Sequence, residues 1–128
     1  MPPPTDVVGP YQALTGVAKR SWARDNADTL VRFIRAYLKA LEWLADASHR
    51  DEAVAIYRAH IPQASDAVAR KAWDALLAGD EGFQKKAKLD RAGIETVISL
   101  RKEFARPPVP LGGTDKYIDE SYYLKAAR

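Results

Sequence analysis

The feature that most constrains this chain is the stretch NADTLVRFIRAYLKALEWLADA, Asn26 to Ala47, which runs without a proline or a glycine. Advanced at roughly 100° per residue, Leu30, Val31, Phe33, Ile34, Tyr37, Leu38, Leu41, Leu44 and Ala45 fall on one broad apolar side. Arg32, Arg35, Lys39 and Glu42 fall on the other. The pattern predicts one long amphipathic helix, with Asn26 as its N-cap and Asp28 placed at the positive end of the helix dipole. A stripe that wide has to be covered, and what the chain offers is a series of shorter helical segments downstream.

Ahead of the long helix the signals are different. Residues 1–10 read as an extended lead-in, since consecutive prolines favour a polyproline conformation and Gly9-Pro10 punctuates the chain. Residues 11–128 read as one helical domain. Tyr11 to Val17 (YQALTGV) alternates imperfectly and is the only credible strand; a lone strand leaves its backbone groups unpaired and therefore needs a partner. Ala18 to Arg24 reads as a helical turn leading into the long helix.

Further along, Ser48-x-x-Asp51 resembles a capping box for a helix carrying Val54, Ile56 and Tyr57, which Pro62 ends. Ser65 caps a third helix, with Gly79 at its stop. Asp80 to Leu89 reads as a lysine-rich loop anchored by Phe83. Asp90 caps a fourth helix through Phe104, and Asp119 a short last one over Glu120 to Ala127. The expected class is mainly α: a compact domain of four to five helices with one short N-terminal strand.

Chemistry is sparse. The absence of cysteine removes disulfides, thiolate nucleophiles and thiolate metal sites together. His49 and His60 are the only histidines, and neither sits at a spacing that builds a triad or a metal site with neighbouring residues. Gly112-Gly113 lacks the Lys-Ser/Thr of a phosphate loop. Lys85, Lys86 and Lys88 read as a solvated loop. The net charge of +3 arises from 20 basic and 17 acidic residues that are intermixed, unlike the clustered patch of a nucleic-acid binder. The expectations are no enzymatic activity, no cofactor, no metal and no nucleic-acid partner. No apolar run approaches the roughly 20 residues of a membrane span, and MPPPTDVVGP lacks the regions of a signal peptide.

The order of segments carries a resemblance. The run GPYQALTGVAKRSWARDNADTLVRFIRAYLKALEWLADASHRDEAV, then LDRAGIETVISLRKEFARPP and DKYIDESYYLKAA, resembles the C-terminal part of ABC-transporter periplasmic solute-binding proteins. The closest group is the nitrate/sulfonate/taurine type, which includes thiamine-precursor-like binders. The resemblance implies the tail of a type-2 periplasmic binding protein fold, less than half of a two-lobed protein. It implies a small polar or anionic organic solute as ligand once the missing lobe is supplied, and an ABC permease as partner. It implies a periplasmic location; the chain as written, lacking a signal peptide, implies a cytoplasmic one if it is complete.

Within the resembling region only Tyr11 and Gln12 match a segment that passes near the family's ligand cleft. Tyr11 would supply an aromatic wall or hydroxyl donor and Gln12 an amide. The alternative is a non-catalytic helical interaction module that has lost its ligand. Trp43, off the apolar stripe, is then an anchor for a neighbouring subunit, and the unpartnered strand favours a homo-oligomer.

Overall fold

The computed structural model describes residues 4–78, 82–84 and 86–128. These form seven α-helices and two 3-10 turns, with no strand among the described residues. The expected stops and loop residues Gly79, Asp80 and Lys85 lie outside the described residues, as do residues 1–3 of the lead-in.

The helices are α1 (Pro4–Val8), α2 (Arg20–Asp25), α3 (Ala27–Ala45), α4 (Arg50–His60), α5 (Asp66–Leu76), α6 (Arg91–Phe104) and α7 (Ser121–Ala126). α2 falls on the expected helical turn of Ala18 to Arg24, and α1, five residues long, is the helix added to the expected set. α1 also replaces part of the expected extended lead-in. A proline lacks only an N–H that a first helical turn leaves unbonded anyway.

α3 is the longest helix, as its breaker-free sequence requires. It begins one residue after Asn26, which serves both sides of a junction. The Asn26 backbone N–H and side-chain amide donate to the Trp22 carbonyl, closing α2 at 2.9 and 3.0 Å, while its own carbonyl accepts from Leu30 at 3.0 Å. The stripe is covered selectively. Leu41 is buried and Leu30, Ile34, Leu38 and Leu44 are half-buried, whereas Phe33 is 66% exposed and Tyr37, one turn on, is 46% exposed.

The chain divides into two compact units. One comprises the described residues up to Val31 together with Leu89–Ala126; the other is Arg32–Lys88.

In the Arg32–Lys88 unit the closest helix packing is α4 against α5, not α3 against its neighbours. Their buried side chains are small, Ala53 and Val54 in α4 and Ala69 in α5, with Ala64 buried in the connection between them. Ion pairs lock the same two helices. Arg50 places one guanidinium nitrogen 2.7 and 2.8 Å from the two Asp74 oxygens and stacks over Trp73 at 5.3 Å. Arg70 donates to Asp51 at 2.7 Å and to Asp66 at 2.8 Å.

The caps are partly displaced from their expected positions. Ser65 caps α5 by accepting from the Val68 N–H at 3.3 Å. Ser48, however, is the acceptor of nothing at α4; its N–H donates to Asp46 at 2.8 Å, so that Asp46 caps the turn Ala47–His49 and α4 follows from it. The hydrogen bonds from the Ser48 side chain and backbone hold the Asp46 carboxyl below its ordinary value. Trp43 finds a partner inside its own chain: its ring stacks on His49 at 4.6 Å and 19°, and His49 Nδ1–H donates to the Trp43 carbonyl at 3.0 Å.

Leu41, 7% exposed, is the best-buried member of the long stripe. Leu41→Ala is expected to cost about 2–5 kcal/mol, the range for a packed core leucine. Urea denaturation followed by circular dichroism measures it; a loss under about 0.5 kcal/mol, typical of a surface site, would show that the stripe is not core.

Candidate functional site

The two residues singled out from the sequence lie against the start of α6, within the unit that contains both chain ends. Tyr11 to Val17 is not a strand. With no strand among the described residues its backbone has no ladder to join there, and a side chain takes over part of that role. Gln12 Oε1 accepts from the Asp90 N–H at 2.9 Å, and Gln12 Nε2 donates to the Leu14 carbonyl at 2.6 Å. Both ends of the Gln12 amide are thereby engaged, one of them at the N-cap position of α6. Asp90 occupies that position, but its side chain makes no cap hydrogen bond.

This approach depends on Gly93. A Cβ there would sit 2.6 Å from Gln12 N, 2.8 Å from Asp90 Oδ2 and 3.0 Å from the Tyr11 carbonyl carbon. No side chain fits, so glycine in the first turn of α6 is what allows residues 11–12 to lie on the helix. Sequence reading passed over this glycine because it falls inside a helical pattern, where glycine is normally only a weak helix former. Tyr11 is 45% exposed, and its hydroxyl has no hydrogen-bond partner among the described residues.

Next to this contact is a polar node. Arg91 donates to Asp115 at 2.9 Å and to Glu120 at 3.1 Å, tying the start of α6 to the turn Thr114–Lys116 and to the approach to α7. Those hydrogen bonds, the Asp115 one foremost, raise the Arg91 pKa further. Arg20 of α2 donates to the Lys116 carbonyl. Asp119 caps α7, accepting from the Ser121 N–H at 3.0 Å. Hydrogen bonds from the Ser121 side chain and backbone, with smaller contributions from Arg20 and Lys125, lower the Asp119 pKa.

The histidines stand apart from this region. His60 Nδ1–H donates to the Ile56 carbonyl at 2.9 Å within its own helix. Among the described residues no three His, Asp or Glu side chains converge as metal ligands, and no described helix is long and apolar enough to cross a membrane.

Fold and site together define the class as a mainly α-helical protein in which residues 11–12 are built into the N-terminus of a helix. Compared with known proteins, the chain matches no family, no curated protein and no solved structure.

Gly93→Ala is expected to destabilise the protein by about 1–3 kcal/mol through overpacking. Gln12→Ala, which strands the Asp90 N–H, should cost a similar about 1–3 kcal/mol. Because both act on one contact, the double variant should lose less than the sum of the two. Strict additivity in denaturant titrations would show that the contact is not shared.

A pH dependence follows from Asp46 and Asp119. Both carboxyls are held below their ordinary value of 3.8, so the stability they contribute is fully present above it and is lost as pH falls through their lowered folded values. Melting temperature should fall on acidification below that value, and Asp119→Asn should shallow the fall. An unchanged acid limb in this variant would remove Asp119 from the account.

Proposed function

We propose that this chain is a non-catalytic helical module that works as part of a larger assembly, with another polypeptide covering its apolar side chains. One observation carries the reading: most of what is fully buried is small, while many large apolar side chains are exposed. Five of the seven buried apolar residues are alanines, while Leu14, Val17, Phe33, Ile56, Val68 and Phe104 are all between 48 and 90% exposed. Where such side chains are contiguous on a surface, they mark a site that another chain covers.

In the reading that the family resemblance supports, the other polypeptide is the remaining lobe of an ABC-importer solute-binding protein, located in the periplasm. The assembled protein would take a small polar or anionic organic solute of the sulfonate, taurine, nitrate or pyrimidine type and deliver it to an ABC permease. Tyr11, with its exposed ring and unengaged hydroxyl, is the residue available to such a ligand; Gln12 would act by holding the segment in place. In the second reading the covering polypeptide is another copy of the chain. The uncovered Leu14 and Val17, in a segment without secondary structure, favour it, because an unpaired backbone is a template for an identical one.

The isolated chain is expected to sediment at micromolar concentration as a dimer or higher oligomer and to bind none of these solutes by calorimetry. A monodisperse 14.2 kDa species would overturn the self-association reading. Such a monomer with a cooperative melt and no affinity for a hydrophobic dye would overturn the module reading as a whole.

A further inference from the structure

Along α6 runs an open groove of about 450 Å³, separate from the Gln12–Gly93 contact and closed on one side by the chain's N-terminal part. Its floor is apolar: Val8, Pro10, Ala92, Thr96 and Leu100 line it. Thr96 belongs with the apolar set because its hydroxyl is turned back, donating to the Ala92 carbonyl at 3.2 Å. Ala92, Thr96 and Leu100 recur every fourth residue and form one row along the helix.

The adjacent row is Glu95, Ser99 and Glu103, also four residues apart. Neither carboxylate has an ion-pair or hydrogen-bond partner among the described residues. At 1.5 Å per residue the two charges are about 12 Å apart along the axis. An extended peptide rises about 3.3 Å per residue, so two residues four apart span nearly the same distance.

We propose that this groove docks an extended basic segment of a partner protein, with Lys or Arg at positions four apart over Glu95 and Glu103 and apolar side chains between them on the floor. Charge complementarity selects the occupant: two unpaired carboxylates beside an apolar floor disfavour acidic or uncharged peptides and favour a segment carrying both cations and apolar groups. This surface is distinct from the exposed side chains on which the functional reading above rests.

The test uses the full chain and a fluorescein-labelled five-residue peptide with lysine at both ends and leucine between, read by anisotropy. Saturable binding is expected, weakened about tenfold or more by the Glu95→Gln/Glu103→Gln double variant and by Leu100→Ala, and weakened by added salt. Glu42→Gln, an exposed carboxylate on α3, should leave it unchanged. A peptide with glutamate at both ends should not bind. Because the peptide arms use the unaltered protein, they decide the matter even if a variant misfolds. The proposal is overturned if the lysine peptide fails to bind, if the glutamate peptide binds equally, if Glu42→Gln weakens binding as much, or if spermidine, with cations but no apolar side chains, binds as tightly.

Discussion

Small side chains at the places of closest approach are the constraint on which the rest of this structure depends. Ala53, Ala64 and Ala69 let α4 and α5 come together, Ala23 and Ala126 are buried in the other unit, and Gly93 lets a passing segment lie on α6. Close approach of this kind gives well-defined geometry but little apolar burial. An alanine methyl contributes about 0.8 kcal/mol on burial, against about 1.5–3 for a leucine or phenylalanine. Beyond Leu41 and Val54 the large apolar residues are half-buried or exposed, and the functional proposal grows from that imbalance.

Polar contacts compensate locally. Arg50 and Arg70 span α4 and α5, and Arg91 gathers the α6 start with the C-terminal turns. Their side chains are 38–50% exposed, so each pair contributes modestly in solvent. They act chiefly as registration devices, fixing which faces meet once alanine has permitted the approach. Glu95 and Glu103 of α6 stand outside any such pair among the described residues and leave the edge of the groove negative.

Much of the helical architecture was legible in the chain. The breaker-free run and its stripe required α3; Ser65 and Asp119 announced caps that depend only on a side chain reaching an amide two or three residues away. Local signals failed where two of them competed. Ser48 looked like the start of α4, yet Asp46, two residues earlier, captures the Ser48 amide and shifts the cap. Tyr11–Val17 alternated like a strand, but alternation describes only which faces side chains occupy and says nothing about whether a ladder partner exists.

The sequence by itself determined the class, because helical periodicity, caps and breakers act over a few residues and need no distant partner. It also determined which chemistry is missing, since a residue type that is absent cannot be supplied by folding. Only tertiary structure decided that Gln12 spends its amide on a residue 78 positions away, that Gly93 is a contact rather than a weak spot, and that Trp43 stacks on His49. It alone left Phe33 and Tyr37 uncovered on a stripe that reads as continuous core. The physical reason is common to all four: burial and long-range hydrogen bonds depend on what arrives opposite a residue, and one-dimensional patterning carries no record of it.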